Sequence, residues 1–251
     1  MELMTLPPEL SHLSVEQTVR RLRWINISGT QKAGKTTFLA ELQKQGFRIA
    51  HLDLEDGTGS LEGGRYLKPA SLDEFRKLSL YLAQNKDHLN LDIVAVDTMD
   101  VLYDWFQQEY LLDNRLLSLS EEKYGKGWHE VRKSLMKSVR YLKQAAPLLI
   151  TITHMKLTVL QDNNKVITYE DMDLMGQTKT EVLYKADALL VFRTIRMEDG
   201  SIVLTVRTDQ SSPNSISFAG ARDDRLYQVR TGPELIAYLS RMLGREYRKA
   251  G

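Results

Sequence analysis

Residues 24–37, "WINISGTQKAGKTT", decide the fold. An apolar run at 24–28 leads into a loop of mostly small residues, and a helical pattern at 35–45 leads out of it. Gly29-x-x-x-x-Gly34-Lys35-Thr36 matches the Walker A pattern in full. Each fixed position has a task. The glycines let the backbone turn tightly so that its N–H groups face phosphate oxygens. Lys35 is expected to reach the β- and γ-phosphates, and the Thr36 hydroxyl to ligate Mg²⁺. The phosphate cradle then comprises Gly29, Thr30, Gln31, Lys32, Ala33, Gly34, Lys35, Thr36 and Thr37. The bland alternative is a glycine-containing turn with a surface lysine. A strand before and a helix after are the context that favours the cradle.

Working outward, apolar runs recur at 47–54, 91–97, 148–153 and 188–195. Helical patterns at 35–45, 72–84, 99–112 and 128–145 alternate with them, and Ser71 with Glu74 fits a capping box at the start of the second. Continuous apolar strands alternating with helices predict an α/β fold, a mostly parallel twisted sheet with helices on both faces. The tail differs: 188–209 reads as a hairpin around "EDGS", followed by a helix over 233–243. A short helix at 14–23 precedes the first strand. The expected organisation is an N-terminal segment 1–21, a core 22–230 with an antiparallel C-terminal extension, and a C-terminal helix with a basic tail over 231–251.

A chain of 251 residues suits one α/β domain with embellishments. Its net charge of +1 gives no general attraction to nucleic acid, so such binding would need local patches. The absence of cysteine excludes a disulfide framework and cysteine-ligated metal. No apolar run has the length of a membrane span, and the N-terminus does not read as a signal peptide, so a cytoplasmic location is expected.

A phosphate loop needs an acid to hold its magnesium, and "LDIVAVD" supplies Asp97 at the end of a buried strand. The bland alternative is that Asp97 caps the helix that begins near Thr98, and the two roles are compatible. Because Thr98 follows it, the Asp-Glu pair of many AAA and transporter ATPases is absent, and the hydrolytic carboxylate must come from elsewhere. Glu55, where "HLDLEDGT" leaves the sheet, is the candidate: neighbouring strand ends share the ligand crevice in open α/β sheets, and a carboxylate there can orient water. "EDG" is also good turn chemistry. A GTPase is rejected, since "NKDH" at 85–88 misplaces its aspartate and lies at a helix end.

In order, "GTQKAGKTT", "LDLE", "IVAVDT", "LLITITH" and "VLTVRTDQSSP" resemble the RecA-like P-loop ATPases over residues 22–215, and in compact form the phage-encoded Sak-type ATPases of single-strand annealing and recombination. The resemblance implies ATP and Mg²⁺ as cofactors and Glu55 as the base that activates water. It makes His154 a polar sensor of the γ-phosphate, where RecA has glutamine. Arg207 becomes a cation that reaches a neighbouring subunit's nucleotide, although Asp209 replaces the second lysine of that motif. It also implies a ring or filament of identical subunits, single-stranded DNA as partner, and a recombination or single-strand-binding protein alongside.

The family's DNA-binding loops fall at 113–128 and 155–178. In the first, Lys123, Tyr124, Lys126 and Trp128 interleave cations with aromatics, a composition that grips phosphates and stacks bases. The second, expected as a long loop, carries Lys156 and Lys165 beside the acidic "YEDMD". Charge-rich surface loops without a ligand are the alternative for both. The basic C-terminal segment could bind phosphate or simply close a helix. Two other functions account for Walker A and Asp97: a small-molecule or nucleotide kinase, and a nucleotide-switched DNA-binding or loader module with little turnover.

Overall fold

The computed structural model describes residues 22–55, 64–162, 165–208 and 219–246. Most of the expected helix at 14–23 lies outside these residues, as do Asp209 and the end of the basic tail. Along the chain run β1 (Trp24–Gly29), α1 (Lys35–Lys44), β2 (Ile49–Asp53), α2 (Leu72–Gln84), α3 (Lys86–Leu89), β3 (Ile93–Asp97) and α4 (Met99–Asn114). Then come α5 (Lys126–Ala145), β4 (Leu148–Asp162), β5 (Lys165–Met172), α6 (Gly176–Lys185), β6 (Ala188–Arg196), β7 (Ile202–Arg207), β8 (Gly220–Ala221) and α7 (Gly232–Met242). The expected α/β class is the observed one. The sheet runs β2-β3-β4-β1-β6-β7, parallel from β2 through β6 and antiparallel at β6–β7, with β5 paired to β4 and β8 to β6.

The continuous apolar strands are explained by burial on both faces. Alternate residues of one strand enter two different cores. Trp24, Leu52, Val94, Val96 and Leu149 pack beneath α2, α4 and α5. Ile25, Ile27, Ala95, Ile150 and Phe192 pack against α1 and α7. Between β1 and β4 the first face also carries a buried polar row. Trp24 Nε1 and Asn26 Nδ2 donate to Thr151 Oγ1 at 2.9 and 3.0 Å, and the Ser28 and Thr153 hydroxyls meet at 2.6 Å. Each member is satisfied by another, so the row is tolerated inside the core and holds the two strands in register just below Gly29 and His154.

Two expectations change. Ser71 caps α2 by accepting the Glu74 N–H at 3.2 Å, but Glu74 reaches one residue further back, to the Ala70 N–H at 2.8 Å, so the box is only half formed. More importantly, 155–178 is not a long loop. β4 continues past the level at which β1 ends and returns as β5, with 155–162 paired to Lys165–Met172 in antiparallel register. The two runs carry β-branched and apolar residues between their charges, a mixture that suits a two-stranded ribbon leaving the sheet. The first expected loop is short, two 3-10 turns at Leu119–Glu121 and Lys123–Gly125 before α5. Among the described residues no helix is long and apolar enough to cross a membrane.

Candidate nucleotide-binding site

At the end of β1 the chain turns through Lys32 at φ 60° and Gly34 at φ 83° into α1. Left-handed residues in such a loop, here on either side of Ala33, turn backbone N–H groups into one concavity. α1 begins with no side-chain cap and no acid in its first turn, so its leading amides have no internal anion. Gly29 is required for packing: a Cβ there would stand 2.8 Å from the Phe192 carbonyl on β6. Gly29→Ala should therefore force the loop off β6, at a cost of about 1–3 kcal/mol, read as a lower denaturation midpoint with unchanged slope.

Lys35, the first residue of α1, is only 6% exposed. Its ammonium donates to the Gly29 and Thr30 carbonyls at 2.9 and 2.8 Å. Burial pushes its pKa down, and the carboxylates of Asp97, Glu55 and Asp100 partly oppose this. Thr36 Oγ1 donates to Asp97 Oδ2 at 2.8 Å, which joins the start of α1 to the end of β3. Asp97 is buried, and among the described residues no lysine or arginine forms an ion pair with it; its nearest basic group is His51 Nε2 at 3.4 Å. That nitrogen is itself buried without a hydrogen bond. A buried carboxylate joined to a hydroxyl offers the hard oxygen donors that Mg²⁺ takes, and the concavity above a buried ammonium suits a polyphosphate. These residues fit both groups.

Gln31 to Thr37, Glu55, Asp97, Val101 and His154 line one cleft of about 760 Å³. Glu55 follows β2 and accepts the Thr98 hydroxyl at 2.9 Å. Its carboxyl is pushed above the ordinary value by burial, against the Thr98 hydrogen bond and His154. His154 Nδ1 lies 3.2 Å from Glu55 Oε1 and 2.8 Å from Asp100 Oδ2. The hydrogen bond to Asp100 raises the imidazole pKa, with burial opposing it. Glu55, Asp100 and His154 each offer one ligand atom within 4.8 Å of the others.

The other expected residues fall elsewhere. Arg207 ends β7 opposite Val191, two strands from β1, and does not line the cleft. Tyr124, Lys126 and Trp128 border a second cleft of about 580 Å³ with His129 and residues 175–178. Lys123 is exposed at its margin, in the 3-10 turn that leads to α5. Tyr124 is fully exposed at φ 57°. Here the starts of α5 and α6 meet, each without a capping side chain or an acid in its first turn. Lys156 pairs with Asp173 at 2.7 Å, and Lys179 with Asp171 at 2.6 Å, so both cations are already neutralised within the chain. Lys165 begins β5, its side chain outside the described residues.

Sequence reasoning missed Asp100, Thr98 and His51. An acid in the first turn of a helix ordinarily serves that helix's amides, which hides Asp100. His51 was readable only as one polar position inside the apolar run "FRIAHLDL".

A family model described as an AAA domain matches residues 23–222. Among solved structures, the chain is similar to the RadB recombinase, at 14% identity over 78% of this chain and 86% of that one, with a TM-score of 0.41. It is also similar to a KaiC-like protein of the hyperthermophilic archaeon Pyrococcus horikoshii, at 11% identity over 77% and 82% of the two chains, with a TM-score of 0.38. No curated protein matches.

Proposed function

The chain belongs to the AAA-domain family, and from that premise we propose that it binds ATP with Mg²⁺, hydrolyses it, and acts on single-stranded DNA in recombination or strand annealing. The observation that carries the hydrolytic reading is one cleft that joins a buried ammonium, a Thr36–Asp97 oxygen pair and a partly exposed carboxylate, Glu55. Lys35 would give up its two carbonyl partners for phosphate oxygens. Thr36 and Asp97 would hold the metal, which supplies neutralisation of charge on the transferred phosphoryl group. Glu55 would accept the proton of the attacking water, and its raised pKa moves it toward the working range of a general base. The residue after Asp97 is Thr98, whose hydroxyl orients Glu55, so the base would stand one strand over from the magnesium acid.

The DNA reading is supported by the second cleft, where two uncapped helix starts meet Tyr124, Lys126 and Trp128. Backbone phosphates would sit on the amides while bases stack on the aromatics. The resemblance to Sak-type ATPases directs this toward annealing or recombination by an oligomer, with Arg207 serving a neighbour's nucleotide.

The test is ATP hydrolysis with and without single-stranded DNA over a range of salt. Turnover should rise with DNA. Log affinity should fall with log salt at about 0.7 per phosphate neutralised. Tyr124→Ala should weaken DNA binding by about 1–3 kcal/mol, roughly 5- to 150-fold, without changing DNA-free hydrolysis. Absence of DNA binding at low salt overturns the DNA reading.

A further inference from the structure

Asp100 lies in the first turn of α4, yet its carboxylate serves a different element. Oδ1 accepts the backbone N–H of His154 at 3.0 Å, and Oδ2 lies 2.8 Å from the imidazole Nδ1. The two side chains are 15% and 20% exposed, so water competes weakly for these bonds. The second neighbour of Nδ1, Glu55 Oε1 at 3.2 Å, is also a carboxylate oxygen. A carboxylate can only accept, so the proton belongs on Nδ1. Nε2, on the other edge of the ring, is left to the cleft that His154 lines.

We propose that Asp100 is a positioning residue: it locks His154 with Nδ1 protonated, and so presents Nε2 to the terminal phosphate of the bound nucleotide while the same ring edge steadies Glu55. The proposal rests on the reading of this cleft as an ATP site. The charged groups that face the ring are Asp100 from α4, Glu55 after β2 and Lys35 from α1. The hydrogen bond and charge of Asp100, with the charge of Glu55, outweigh burial and Lys35, so the imidazole protonates above its ordinary value. In that form Nε2 carries a hydrogen and donates to a phosphate oxygen. Because folding raises this pKa, the part of the pair's stabilisation that comes from the charged ring is complete below the ordinary value of 6.5 and is lost as pH rises through the folded one, while the Nδ1–H bond to Asp100 remains. The same residue conveys the contact outward, since the His154 carbonyl accepts the Asp173 N–H at 2.9 Å, close before α6 and the second cleft.

The experiment reads histidine side-chain ¹⁵N resonances of the nucleotide-free protein, with His154 identified by its loss in His154→Gln. Wild type should show a protonated Nδ1 and a titration midpoint above that of an exposed histidine. Asp100→Asn keeps the shape but leaves one acceptor for two N–H donors. Its midpoint should fall and its neutral ring should move toward the Nε2–H form. Adding Mg²⁺ and a non-hydrolysable ATP analogue should shift wild-type Nε2 more than Nδ1. In hydrolysis, Asp100→Asn should lower kcat by about 10- to 100-fold, the usual cost of a lost supporting hydrogen bond, with KM for ATP within about 2-fold. An unprotonated Nδ1 in the neutral wild-type ring overturns the proposal without any variant. So does a midpoint unchanged by Asp100→Asn, or an Nε2 unmoved by a bound analogue. If wild type hydrolyses no ATP the functional reading fails, while the resonances still judge the Asp100–His154 unit.

Discussion

Lys35→Ala is expected to cost about 10²–10³-fold in ATP turnover, as loss of one preorganised electrostatic donor does, with nucleotide binding weakened as well. The size follows from the setting. The ammonium is buried, and its present partners are two carbonyls of the loop that carries it. In a poorly solvated position a positive charge acts on phosphate far more strongly than in water, and among the described residues no other lysine lines the cleft except Lys32. Truncation frees two carbonyls that cleft water can satisfy, so the fold should survive. Titration with a fluorescent ATP analogue and a phosphate-release assay check this. Turnover above one tenth of wild type would show that Lys35 is not the phosphate-binding cation.

Glu55→Gln is expected to leave nucleotide affinity near wild type and to reduce hydrolysis by about 10²–10⁴-fold, the range for a lost general base. Glutamine retains an oxygen for the Thr98 hydroxyl, so the side chain should keep its place, but it cannot take a proton from water. Separate measurements of binding and single-turnover hydrolysis distinguish the two effects. Unchanged turnover would remove Glu55 as the base and favour a nucleotide-switched binding module. Transfer of the phosphoryl group to a small molecule instead of water would favour a kinase.

The fold was legible because each strand of the parallel sheet is buried on both faces. That burial writes continuous apolar runs at 24–28, 91–97 and 148–153, and the helix over 72–84 was recovered to the residue. The β4–β5 ribbon was missed, although half of its sixteen paired residues are apolar and a β-rich run stands on each side of "DNN"; the lysines and the acidic "YEDMD" hid that pattern. Lys156 illustrates the same limit: it looks available in sequence but is matched to Asp173 in space.

The Walker A loop and Asp97 are determined by sequence alone, because their chemistry depends on residues adjacent in the chain and on the end of a strand whose burial is written in its own composition. That Glu55, His154 and Asp100 form one charged cluster, with Asp100 hydrogen-bonded to His154, was decided only by tertiary structure. They come from the end of β2, from β4 and from α4, and the register of parallel strands sets which of those ends meet. No local spacing encodes that distance; it follows from the long-range packing of two cores on either side of one sheet.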